Sequence, residues 1–222
     1  MTEVAEFEPY VRSTRDKIGE VIAGFRACAH LRYRVANLAA APLPEFVAGY
    51  ALSRLYRAAG FKGIHAGAFL ASRIHITGAS SNIYDNLSIA DGVTISTNVT
   101  FNLDARVTVG PRVTISPFVR IYTATHRHGP ANHRCLPEVR PRPVVIEEGA
   151  WIGLGAILLP GVVVARGTVV SAGAVVTRST APNSFISGNP GVAVGTIADN
   201  ADWIGPRKNR DPRAKPVRPI SR

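Results

Sequence analysis

The sequence predicts an all-β solenoid, a parallel β-helix of very short strands with α-helices before it. Three observations predict it. Gly, Val, Ile, Ala and Thr dominate residues 63–197. Within that stretch a large aliphatic recurs every six residues, and the residue four places after each is small or β-branched. A fixed short period is the mark of stacked, near-identical units, none of which can bury its apolar face alone.

Residues 1–62 form the first segment and have a helical period. Ser13 and Asp16 have the spacing of a capping box, and Ile18, Val21, Ile22, Phe25, Cys28, Ala29 and Val35 follow as a 3.6-residue stripe. Pro42 and Pro44 break the chain. A second helix is expected beyond them, with Val47, Tyr50, Ala51, Leu55 and Ala58 on its packing face and Arg54 and Arg57 off it. The expectation is a helix packed on the main domain; the alternative is a helix lying on a membrane surface.

The second segment, residues 63–197, carries the repeat. Ile146, Ile152, Leu158, Val164, Val170 and Val176 stand six apart, with Ala150, Ala156, Val162, Thr168 and Ala174 in the small-residue slot. Ile83, Ile89, Ile95 and Phe101 keep the same step, with Leu87, Val93, Val99 and Ala105. Val109, Ile115 and Ile121 follow, with Val113, Val119 and Thr125. Each unit reads as one strand and one turn, and three units close an 18-residue coil whose aliphatics stack into one column. The repeat breaks twice: the step from Phe101 to Val109 is eight, and the period vanishes across 126–143, HRHGPANHRCLPEVRPRP. The second break is expected to be a loop leaving one corner, and loops on rigid scaffolds commonly carry function.

Composition narrows the classes. Hydrophobic residues make up 46% of the 222, enough for a sizeable core. No apolar run is long enough for a spanning helix, and MTEVAEFEP lacks a signal pattern, so a cytoplasmic location is expected. Two cysteines, Cys28 and Cys135, make no disulfide framework, and Cys28 is expected as a buried thiol. The formal charge is +11, but residues 206–222 supply +6 of it. The remaining +5 is ordinary, and no nucleic-acid partner is expected. Residues 198–222 read as a basic, solvated tail.

The segments FNLDA (101–105), IYTATH (121–126), GAWIGLGAILLPGVVV (149–164), SAGAVVT (171–177) and SGNPG (187–191) resemble, in order and spacing, the hexapeptide-repeat O-acetyltransferases. That group includes the maltose, galactoside and nodulation-factor enzymes. The resemblance covers about 85–197. It implies a left-handed β-helix, a homotrimer, coenzyme A or acetyl-CoA as co-substrate without a metal, and a small-molecule acceptor such as a sugar or glycosylated metabolite. It also implies that His126 is the catalytic base. The chemistry agrees: a hydroxyl must lose its proton as it attacks a thioester, and an imidazole with an ordinary pKa near 6.5 suits that task. Asn102 matches an asparagine that faces the histidine across the subunit cleft and could bind the acceptor or an oxyanion; the alternative is an asparagine ladder inside the coil. Glu138, in the insertion, is the candidate to hold the other imidazole nitrogen. The positions carried over for coenzyme A are Trp151, Gly153, Leu154, Ala172, Thr177 and Arg178. Leu154 stands where Ser or Gly is usual, and Arg178 stands for Lys and keeps a cation for phosphate. NPGVAVG lacks the arginine that often follows the family's NP, so Arg207, Lys208 or Arg210 of the tail are candidates for the adenosine end.

Three rival readings remain. Amino-sugar N-acylation would need less help from a base. A zinc site of the γ-class carbonic anhydrase type would use His128 and His133 with a third ligand such as His75. A non-enzymatic β-helix would show unbroken repeats and one flat polar face.

Overall fold

In the computed structural model, the described residues are 30–198 together with Thr14, Ile18 and Val21, which are helical and exposed. Ser13, Asp16, Ile22, Phe25, Cys28 and Ala29 lie outside the described residues, as do Arg207, Lys208, Arg210 and the rest of residues 199–222.

The solenoid is a left-handed parallel β-helix with three sheets as the faces of a prism. One sheet stacks β1 (Phe69–Leu70), β4 (Thr94–Ile95), β7 (Thr114–Ile115), β12 (Trp151–Ile152), β15 (Val169–Val170) and β17 (Ser184–Ser187), and β18 (Val192–Thr196) closes it in antiparallel pairing. The next holds β2 (His75–Thr77), β5 (Thr100–Asn102), β8 (Arg120–Ile121), β13 (Ile157–Leu158) and β16 (Val175–Val176). The third holds β3 (Leu87–Ile89), β6 (Val107–Val109), β11 (Val144–Ile146) and β14 (Val163–Val164). Register follows the repeat: Ile146 pairs with Val164, Ile152 with Val170 and Leu158 with Val176, one 18-residue coil apart. All six of these side chains are buried, as are Ala150, Ala156, Val162, Thr168 and Ala174 in the small-residue slot. Gly153 shows why small residues follow the aliphatic. A Cβ there would lie 2.6 Å from the Val170 carbonyl oxygen and 2.7 Å from the Ala172 nitrogen of the next coil.

Two members of the periodic pattern leave the column, one at each break. Ala105 is half-buried and Thr125 is exposed, while Leu103 and Thr123 are fully buried. Hydrogen bonding at the corner, described below, is what draws Thr123 inward. The aperiodic stretch is a β-hairpin rather than an irregular loop: β9 (Ala124–His128) pairs antiparallel with β10 (Cys135–Pro141). It returns to its starting corner, where the Arg142 N–H donates to the Thr123 carbonyl at 2.6 Å. Stacking resumes undisturbed, with Val109 beside Ile146.

Two described helices, α1 (Leu31–Ala40) and α2 (Gly49–Ala58), share one core with the solenoid through Ala36, Ala40, Leu52, Tyr56 and Phe61. The face of α2 differs from the expected one. Val47, Tyr50, Ala51 and Ala58 are exposed and Leu55 is half-buried, whereas Gly49, Leu52, Ser53 and Tyr56 are buried. Apolar periodicity missed this face because two of its members are polar and bonded. The Ser53 hydroxyl donates to the Ala68 carbonyl, and the Tyr56 hydroxyl donates to Asn37 Oδ1 while accepting from the Ile74 N–H at 3.3 Å. Burial pushes the Tyr56 phenol above its ordinary range, so it stays a neutral donor. Gly49 completes the face, because a Cβ there would collide with the Phe69 ring.

Candidate active site

The two breaks in the repeat meet at one corner. Asn102, at the end of β5, is only 7% exposed. Its Nδ2 donates to Asp104 Oδ2 at 2.9 Å, and its Oδ1 accepts from the Thr123 N–H at 3.1 Å. The Thr123 hydroxyl lies 2.8 Å from both the Asn102 side-chain and main-chain oxygens, so it can donate to either, and it accepts from the Ala105 N–H at 3.0 Å. Asp104 Oδ1 in turn accepts from the N–H groups of Ala79 at 2.6 Å and Ser80 at 3.1 Å. Within one chain, Asn102 therefore fixes the corner from which the hairpin departs. Asn102→Ala strands the Thr123 N–H in a buried place and is expected to cost about 1–3 kcal/mol. Denaturant unfolding of the variant beside wild type measures it, and unchanged stability would refute the role.

His126 stands three residues beyond Thr123, on β9, and is exposed. Its Nδ1 lies 2.9 Å from the Leu136 carbonyl oxygen on β10. A carbonyl can only accept, so Nδ1 carries a proton, and in the neutral form of the imidazole this makes Nε2 the lone-pair nitrogen. The orienting partner is thus a backbone carbonyl and not the Glu138 carboxylate. Strand geometry gives the reason. Val139 sits opposite His126, so its neighbour Glu138 falls on the other face of the hairpin. There Glu138 Oε2 accepts from Arg127 Nη1 at 3.1 Å, and Oε1 lies 3.7 Å from Arg140 Nε.

His126 lines a pocket of about 570 Å³. Tyr122, Leu159, Pro160 and Thr177 form its solenoid side, in the turns that follow β8, β13 and β16. Arg127, His128, Arg140 and Arg142 also line it, and among the described residues no acidic one does. The three arginines escaped sequence reading. Their cue was local: Glu138, Arg140 and Arg142 alternate along an extended run, whereas the charge excess drew notice to the tail.

A second groove, of about 610 Å³, runs along another corner of the prism. Ser116 and Pro117, Gly153 and Leu154, and Ser171 and Ala172 are the corresponding turn residues of three successive coils. Trp151 forms one wall and is half-exposed, its Nε1 donating to Ser116 Oγ at 3.1 Å. Four of the six positions expected to hold coenzyme A thus share this groove: Trp151, Gly153, Leu154 and Ala172. Thr177 lies instead in the His126 pocket, with the exposed Arg178 next in sequence. His75 is on β2, far along the chain from the hairpin that carries His128 and His133. Among the described residues no group of three or more His, Cys, Asp or Glu could hold a metal ion, and no helix is long and apolar enough to cross a membrane.

No family profile matches the chain. Over 78 residues it is 50% identical to a Dictyostelium discoideum protein provisionally named an acetyltransferase; the match covers 35% of this chain and only 40% of that relative. Solved structures match across most of the solenoid. A hexapeptide-repeat acetyltransferase from Vibrio cholerae superimposes with a TM-score of 0.61 at 26% identity, covering 84% of this chain and 95% of that one. The same Vibrio protein in complex with acetyl coenzyme A gives a TM-score of 0.58 at 23% identity, covering 85% and 92%. A maltose O-acetyltransferase from Clostridium difficile 630 gives 0.60 at 23% identity, covering 81% and 90%. The chain therefore has the left-handed β-helix of the hexapeptide-repeat acetyltransferases.

Proposed function

We propose that this chain is a coenzyme A-dependent O-acyltransferase that moves an acetyl group to a hydroxyl of a sugar or sugar-containing small molecule. One observation carries the reading: His126 is tied through Nδ1 to the Leu136 carbonyl, which leaves Nε2 free to take a proton in a pocket of about 570 Å³. The likeness to acetyltransferase structures, one of them solved with acetyl coenzyme A, supports the donor. Nε2 removes the acceptor hydroxyl proton as that oxygen attacks the thioester carbonyl. The C–S bond then breaks, coenzyme A leaves as its thiolate, and the imidazolium returns the proton to sulfur. Glu138, paired with two arginines, has no place in this sequence of steps.

The working form is a homotrimer. The base pocket and the Trp151 groove lie at different corners of the prism, on either side of the sheet formed by β2, β5, β8, β13 and β16. A closed ring of three copies would set one chain's groove beside its neighbour's base, so that a single chain holds two half-sites. In that ring Asn102 would serve by fixing the hairpin, and Thr177 and Arg178 would lie between thioester and base.

The experiment is thiol release from acetyl-CoA against sugars, amino sugars and glycosylated metabolites, with mass measured by light scattering. Release that depends on acceptor, from a species of three chains, is expected. No release above the blank with any acceptor would overturn the reading.

A further inference from the structure

The pocket around His126 has an electrostatic character that proton abstraction does not require. Arg127, Arg140 and Arg142 line it together with His126, although by strand alternation they belong to the face of the hairpin that carries Glu138; among the described residues Glu138 is the one carboxylate paired with any of them, and it is outside the lining. Glu138 is engaged by two of the three, at 3.1 Å and 3.7 Å. The guanidinium of Arg142 makes no ion pair or hydrogen bond among the described residues, although its main chain is fixed by the 2.6 Å bond to Thr123 at the hairpin neck. Its stem packs over Gly161: a Cβ on that residue would lie 3.1 Å from Arg142 Cδ and 3.4 Å from its Cβ. Gly161 also has φ +88, which glycine adopts without strain, and any side chain there would press on the arginine stem.

A permanently charged, planar donor set held at the edge of a pocket and left unpaired is matched to a planar or tetrahedral oxyanion. We infer that the acceptor carries an anionic oxygen group, a carboxylate or a phosphate, which Arg142 binds with help from Arg140 while His126 addresses the hydroxyl. The inference rests on the acyl-transfer reading for the role of His126. The anion site itself rests only on the three arginines. A neutral sugar would leave the exposed Arg142 guanidinium to water alone, so charge selects the acceptor.

The test separates the two claims. Calorimetry on the full chain, without acetyl-CoA, compares glucose with glucuronate and with glucose 6-phosphate; the last two tell carboxylate from phosphate. Binding of at least one anionic sugar, at least about tenfold tighter than glucose and weakened about tenfold to a hundredfold in Arg142→Gln, is expected. Arg142→Lys should recover part of it, because charge survives while the fork is lost. Equal affinity for glucose and both anionic sugars, or indifference to Arg142→Gln, would overturn the inference even if acyl transfer is demonstrated. Conversely, anion binding without thiol release would overturn the acyl-transfer reading and leave the anion site standing. A third result is equally decisive. If Arg142→Gln raised the KM for acetyl-CoA and not that for the acceptor, the arginines would belong to the phosphates of the donor.

Discussion

His126→Ala is expected to lower kcat for acyl transfer by about 10²–10⁴-fold, the usual contribution of a positioned base, while the oligomeric mass and the melting temperature stay close to wild type. Both halves follow from where the residue sits. His126 is exposed on β9 and packs in no core, so its removal opens no cavity. The bond lost, Nδ1 to the Leu136 carbonyl at 2.9 Å, is a surface one worth about 0.5–1.5 kcal/mol at most. The chemistry has less slack, because among the described residues that line the pocket no carboxylate could take over as base. Steady-state thiol release and thermal unfolding on the same preparations check it. A variant as active as wild type would remove His126 from the mechanism. A variant that is inactive but also unfolded would show that the hairpin, and not the imidazole, had failed, and His126→Gln would then isolate the base.

The largest stability effect is expected at Phe101→Ala, about 3–5 kcal/mol of destabilisation. Phe101 is fully buried and the only aromatic in the periodic aliphatic column. It lies on β5 between Ile76 of β2 and Ile121 of β8. The ring occupies the coil where the repeat step lengthens, and neighbours held in register by backbone hydrogen bonds above and below cannot close over the space it leaves. Asn102 is the next residue, so loosening this coil should also blur the corner that aims the hairpin. Urea unfolding at fixed protein concentration measures the loss. A change below about 1 kcal/mol would mean the coil can collapse around the gap.

What could be read from sequence was what the repeat writes explicitly. Ile146 to Val176 repeat because each must fill the same prism, so period alone places them. The expectation for His126 came from IYTATH, a block of six residues, and the positions that line the Trp151 groove came from the same family resemblance. The failures share a cause: polar groups whose placement depends on distant partners. Thr123 is buried because Asn102, 21 residues earlier, offers it an oxygen. Ser53 and Tyr56 are buried because the solenoid presents Ala68 and Ile74 to them. Glu138 misses the imidazole because the pairing of β9 with β10 puts Val139 opposite it, a register the sequence does not reveal.

The hairpin neck has a consequence for how such a protein can change. Thr123 and Arg142 are joined by a single 2.6 Å hydrogen bond, and the coils on either side stack as though nothing lay between them. His126, the Leu136 carbonyl that orients it and the three arginines all lie on or beside one detachable piece of chain. The stacked coils never register what that piece contains, so heredity can rewrite the reaction's preferences there by insertion, deletion or exchange without renegotiating the body that carries it. A lineage of such proteins would diverge fastest at this excursion while its spine stayed still.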